Sequence, residues 1–215
     1  MSKPPRWDLS NVYPGLESPE FAAASADFQR QLDELEKLFT DKLAKTDAGT
    51  PVKELAAITG SAIQRFNVLY EMAGTLRAYI MSFVSTDSHN TLAMKKMSEF
   101  QMVAVRFQNL GNRFQAWVGK IAPVLEKVIA ADPTAREHAF SLRETAEQSR
   151  YMMPEAEEAL AAELNLSGTN AWSKLQGTVT SQLTVDFELE GKPQKLPMPA
   201  LINLHSHPDE EVRRR

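Results

Sequence analysis

FQMVAVRFQNLGNRFQAWVGKIAPV, residues Phe100–Val124, carries two interleaved apolar rows. Phe100, Phe107, Phe114 and Ile121 recur every seven residues, and Val103, Leu110, Trp117 and Val124 recur at the same interval three residues later. Rows offset in this way make the a/d seam of a packed helix. Such a seam can close on a second chain as a coiled coil, or on neighbouring helices of its own chain. The flanking sequence favours the second, because stretches with matching apolar faces lie close by, joined by short connections. An antiparallel bundle within one chain is therefore expected.

Upstream of the seam, Asp87-Ser88 is expected to open its helix. Before that, Thr50-Pro51 reads as a helix start. Leu55, Ile58, Ala62, Phe66, Leu69, Ala73, Leu76, Ile80 and Phe83 follow as one apolar stripe. Earlier still, Ser18-Pro19 reads as an N-cap with proline at the first helical position. Phe21, Phe28, Leu32, Leu35, Phe39 and Leu43 then form a face that ends at Asp47-Ala48-Gly49. Residues 1–17 read as an extended arm, with Pro4, Pro5, Pro14 and Gly15 breaking helix and Trp7, Leu9, Val12 and Tyr13 as apolar anchors.

Downstream, Asp132-Pro133 is expected to cap a helix running to about Tyr151. Pro154 starts another, and Glu155, Glu157 and Glu158 in its first turn complement the positive end of the helix dipole. Asn165–Thr169 reads as a loop, and Ala171 to about Gln182 as a short helix holding Trp172, Leu175 and Val179. Then the period changes. Leu183, Val185, Phe187 and Leu189 alternate with Thr184, Asp186 and Glu188, the mark of a half-buried strand. Glu190-Gly191 is a turn, and Lys192–Leu196 a weak return strand. Pro199 opens a short helix through about Leu204. Ser206-His207-Pro208-Asp209 is a strong helix start with few residues left before Arg215. So short a helix is unstable alone, because nucleation is costly, and the chain is expected to be cut from something longer. The fold class expected is mainly α: an antiparallel multi-helix bundle with a small β-hairpin near the C-terminus.

Composition narrows the function classes. The 215 residues contain no cysteine, which excludes disulfides, thiolate metal sites and a cysteine nucleophile. A formal charge of −4 gives no electrostatic footing for nucleic acid. The N-terminus has no apolar stretch of a signal peptide, and no window approaches the roughly 20 apolar residues of a membrane span. A cytoplasmic protein without a membrane or nucleic-acid partner is expected.

Chemistry is sparse. The four histidines, His89, His138, His205 and His207, are none of them followed by glutamate, so no His-Glu-x-x-His zinc motif exists here. His205 and His207 stand in a loop context and would need further ligands to hold a metal. Glu137-His138 lies in a polar helix, where adjacent residues point about 100° apart, and reads as surface. No G-x-S-x-G elbow, P-loop or G-x-G-x-x-G is present. The nine methionines are scattered over helical faces, where such residues fill core gaps. No residue is assigned a catalytic, cofactor-binding or metal-binding role.

Several segments in order resemble oligoendopeptidase F, of the thimet-oligopeptidase-like zinc peptidases. Trp7-Asp8-Leu9-Ser10 followed by Val12-Tyr13-Pro14 resembles that family's opening W-D-L-[ST]-x-[LI]-[YF]-P. Tyr70, Tyr79 and Ser85-Thr86-Asp87 resemble its helical lobe, and Glu155 to Leu160 its acidic segment. Gly168-Thr169-Asn170-Ala171-Trp172-Ser173-Lys174-Leu175 resembles its G-x-x-A-W-x-x-L element, followed by a strand turning at Glu190-Gly191-Lys192. Leu204 to Arg213 resembles the L-x-S-P-D-x-E-V-R that leads into the catalytic part. Two departures stand out, Met152-Met153-Pro154 before the acidic run and Met198-Pro199 after the hairpin. The resemblance implies a parent zinc enzyme that cuts short peptides inside a helical shell, with its zinc motif beyond Arg215. It divides the chain into an N-terminal helical domain, residues 1–182, and a hairpin with the truncated start of a catalytic domain, 183–215. It implies zinc in the parent and none bound by this chain. The partners implied are short peptide substrates and the missing catalytic domain, and this chain alone is expected to be inactive. The alternative is a stand-alone helical interaction module without enzymatic activity, with the seam as its partner surface.

Overall fold

The computed structural model describes residues 8–87, 89–189 and 191–214, with the backbone alone at Glu155. Trp7, Pro4, Pro5, Ser88, Glu190 and Arg215 lie outside the described residues. The chain forms two compact units, residues 1–163 and 164–215.

In the first unit, helix α1 spans Pro19–Asp41, α2 Val52–Thr86 and α3 Thr91–Ile121. Ser18 caps α1 as expected, its hydroxyl accepting from the Phe21 amide at 3.2 Å. The apolar face of α1 is buried in full: Phe21, Phe28, Leu32, Leu35 and Phe39, with Leu43 just beyond the helix. In α2 the stripe from Leu55 to Ile80 is buried apart from Ala73, which packs partly buried against the core, as does Phe83. Thr59 is the buried polar residue of this face, and its hydroxyl donates to the Leu55 carbonyl at 2.7 Å.

Ring contacts give the helix directions. Phe21 packs on Tyr79 and Phe39 on Phe66, so the start of α1 meets the end of α2. Phe66 meets Phe114 and Tyr70 meets Phe107, so α2 and α3 are antiparallel too. Phe28 packs on both Phe100 and Phe107, which sets α3 alongside α1. The a/d seam of α3 thus closes inside its own chain, with Phe107, Leu110, Trp117 and Ile121 buried.

Several boundaries differ from the sequence reading, each for a local reason. Residues 8–17 turn rather than run extended: the Leu9 carbonyl accepts from the Val12 and Tyr13 amides. Pro51 sits at the N-cap of α2 without a side-chain cap, because the Thr50 hydroxyl turns back to accept from the Asp47 amide. Asp87 ends α2 and takes the His89 amide, and Asn90 caps α3 by accepting from Ala93 at 2.9 Å. After Ile121 the chain bends through a single 3-10 turn at Ala122–Val124, with Pro123 in it, into a separate short helix α4, Leu125–Ala131. Asp132 does cap the next helix, accepting from Ala135 at 2.8 Å. That helix breaks at His138 into α5, Pro133–Glu137, and α6, Ala139–Gln148, with a 3-10 turn at Ser149–Tyr151. Helix α4 and helix α5 return along α2, and α6 lies against α3.

Helix α7, Glu155–Ser167, holds the change from the first unit to the second. The expected loop at Asn165–Thr169 shrinks to Gly168, because α7 continues through Ser167 and α8, Thr169–Gln182, begins at once.

In the second unit α8 is followed by the antiparallel hairpin of β1, Thr184–Leu189, and β2, Lys192–Pro197. Val185 pairs with Leu196 and Phe187 with Gln194. Gly191 in the turn has φ +73°, in the left-handed region that favours glycine at a two-residue hairpin turn. Phe187 and Leu189 are half-buried, while Val185 is exposed. Met198–Leu204 forms α9 and Glu210–Arg214 forms α10. The last helix starts later than Pro208, with the Asp209 carboxylate accepting from the Glu211 amide at 2.9 Å.

Candidate functional site

Each histidine has a definite place. His89 is exposed between α2 and α3, and His205 is exposed at the end of α9. His207 is half-buried and its Nδ1 accepts from the Asp209 amide at 3.1 Å, so it serves the start of α10. Among the described residues no group of three or more His, Asp or Glu stands close enough to hold a metal ion.

His138 is different. The break between α5 and α6 puts its ring in the wall of a cavity of about 450 Å³ bounded by α2, α3 and α6. Its Nδ1 stands 3.0 Å from the Thr134 carbonyl, which can only accept, so Nδ1 carries the proton. In the neutral ring Nε2 is then an acceptor, and it takes the Asn67 side-chain amide at 3.2 Å. This fixes both tautomer and ring direction. Glu137, its neighbour in sequence, is exposed and does not line the cavity.

The cavity floor is aromatic. Phe66 lies 5.2 Å from Phe114 and 5.8 Å from Phe107, ring centre to ring centre. Tyr70 sits edge-on to Phe107 at 4.9 Å and is 62 % exposed. The rim is neutral and polar: Asn67 from α2, Gln108, Asn112 and Gln115 from α3, Ser141 and Thr145 from α6. Asn112 also donates to Glu158, at 3.4 Å. Among the described residues no Asp, Glu, Lys or Arg lines the space. Among the described lining residues no carboxylate stands beside His138.

From sequence, Glu137-His138 reads as a surface helix, and Asn67, Gln108 and Ser141 carry no assignment. A signal was present in the row Ala104, Gln108, Gly111, Gln115, neutral and partly small, running beside the apolar seam at steps of four and three. Its meaning depends on which helix faces it.

No helix among the described residues is long and apolar enough to cross a membrane. No curated protein and no solved structure matches the chain. Residues 122–184 match the peptidase M3 N-terminal family model described as Oligopeptidase F. That stretch runs from the bend after α3 through α4–α8 to the first residue of β1. It includes the tryptophan-centred element and the strand entry on which the resemblance rested, and over these residues the chain is similar to the N-terminal region of oligopeptidase F.

Proposed function

We propose that this chain is the helical N-terminal part of a zinc metalloendopeptidase that hydrolyses short peptides, and that its bundle forms a wall of the substrate channel. The match of residues 122–184 to the oligopeptidase F model carries this reading. A rigid helical wall limits substrate by size and contributes no chemistry. In such an enzyme zinc lowers the pKa of its bound water, with a neighbouring glutamate as base. Because the sequence holds no His-Glu-x-x-His motif, we assign bond cleavage to a catalytic part outside residues 1–215. Short peptides and that catalytic part are the partners, and the cytoplasm, expected from the cysteine-free composition, is the compartment we assign.

The seam that a stand-alone interaction module would have used is buried inside the bundle, which weighs against that reading. The test is the transcript. We expect the reading frame to continue past codon 215 into a His-Glu-x-x-His helix, and the purified chain to leave fluorogenic peptides uncut with or without added zinc. A stop codon directly after Arg215, or chelator-sensitive cleavage by this chain alone, overturns the proposal.

A further inference from the structure

We infer that the cavity between α2, α3 and α6 is a binding site for an uncharged peptide segment, holding one apolar side chain on the aromatic floor and the flanking peptide groups on the rim. The inference rests on the peptidase reading for the class of ligand, and on the cavity itself for the selection of neutral over charged peptides.

Three observations converge. The first is the floor. Phe66, Phe107 and Tyr70 form a continuous aromatic surface, and Tyr70 stays largely exposed although its ring packs against Phe107. An exposed aromatic held rigid at a cavity edge offers contact area with little ordering left to do.

The second is the rim. Gln108, Gln115, Ser141 and the Tyr70 hydroxyl make no side-chain hydrogen bond to another described residue. Primary amides and hydroxyls each donate and accept, which matches the alternating N–H and C=O of a peptide. With no charged side chain among the described lining residues, a carboxylate or ammonium group entering the space would lose hydration and gain no counter-ion from them.

The third is Gly111. It stands inside the 31-residue helix α3, where glycine weakens the helix. No close contact requires it, since a β-carbon there would meet nothing within 4 Å. Gly111 lines the cavity, and its missing side chain keeps the space open.

Gly111 also supplies the decisive variant. Gly111→Leu fills the cavity from within a helix that tolerates leucine better than glycine, so the bundle stays folded. The probe is N-acetyl-Ala-Phe-Ala-amide, followed by amide chemical shifts of the full chain. Saturable shifts are expected at Gly111 and Thr145 for this peptide. At least tenfold weaker binding is expected for the Lys-Phe-Lys and Glu-Phe-Glu counterparts, and for Gly111→Leu at an undiminished melting temperature. Absence of saturable shifts at millimolar peptide, equal binding of the charged peptides, or undiminished binding by folded Gly111→Leu each overturns the inference. These outcomes are independent of the downstream reading frame. A frame with the zinc motif and an empty cavity would sink this inference alone, and a bound peptide with a stop at codon 215 would sink the peptidase reading alone.

Discussion

Gly60 of α2 lies directly beneath the carboxylate of Asp132, so close that a β-carbon on Gly60 would stand 2.6 Å from Asp132 Oδ1. The same oxygen caps α5 by accepting from the Ala135 amide. The contact therefore joins the middle of one helix to the start of another. Gly60→Ala is expected to push the carboxylate off its cap and cost about 0–1 kcal/mol net, the loss of an N-cap less the gain in helix propensity. Asp132→Ala should cost about 1 kcal/mol alone. In the Asp132→Ala background the obstruction is gone, and Gly60→Ala should be neutral or stabilising. Urea midpoints of the two single variants and the double variant check this, and additive losses would show that the close approach does not exist in solution.

Phe107 is the centre of the core between α1, α2 and α3. It is 8 % exposed and touches Phe28, Phe66 and Tyr70. Phe107→Ala is expected to cost about 3 kcal/mol, the low end of the usual range for phenylalanine truncation. The low end applies because the space vacated opens into the existing cavity. A urea midpoint equal to that of the wild type would mean that Phe107 is exposed in solution, and would restore the seam as a surface for another chain.

The core was legible in the sequence because burial leaves a periodic trace. Every apolar residue from Phe21 to Leu43 placed on the face of α1 is buried, and the α3 seam closes where its heptads point. Breaks without a strong local signal were not legible. His138 interrupts α5–α6 with neither glycine nor proline beside it, and nothing at Gly168 marks how short the α7–α8 junction is. The cavity was hidden for a further reason. Asn67, Gln108 and Ser141 stand on three helices far apart in the chain, and each row alone looks like a wetted surface. Only tertiary packing turns them toward one space.

Glu34 gives a pH dependence with a definite sign. Its carboxylate accepts from Arg65 at 2.9 Å and also pairs with Arg30. The hydrogen bond from Arg65, followed by the charge of Arg30, holds its pKa below the ordinary 4.5. A carboxylate with a lowered folded pKa stabilises the fold above its unfolded pKa, and that contribution is lost as pH falls through the lowered value. The wild type should therefore lose stability below about pH 4.5 more steeply than Glu34→Gln, which cannot titrate there. Urea midpoints measured from pH 6 down to pH 3 read the difference in slope, and equal slopes would mean that the Arg65 contact contributes nothing. The pair joins α1 to α2 at a half-exposed site, so roughly 0.5 M salt should shrink the difference.

The two compact units should differ sharply in stability. None of the described residues from 164 to 214 is buried, whereas the first unit contains the whole apolar core. Helix α8 carries Trp172, Leu175 and Val179 on one stripe, and Trp172 is 70 % exposed. The hairpin has two strands, too few to hold itself in water. Local opening should therefore cost little across the second unit, while the core helices open only with global unfolding. Amide hydrogen exchange is expected to be fast in residues 169–214 and slow in residues 55–128. A chain ending at Ser167, the last residue of α7, should keep the cooperative melting of the full chain, with a midpoint within about 4 °C, since a loss of less than 1 kcal/mol shifts a domain of this size no further. Helical circular dichroism should fall only by the share of α8, α9 and α10. Loss of cooperative unfolding in the shortened chain would mean that residues 168–215 supply part of the core of the first unit, and strong exchange protection in β1 and β2 would mean that the second unit is stabilised by contacts beyond its own hairpin.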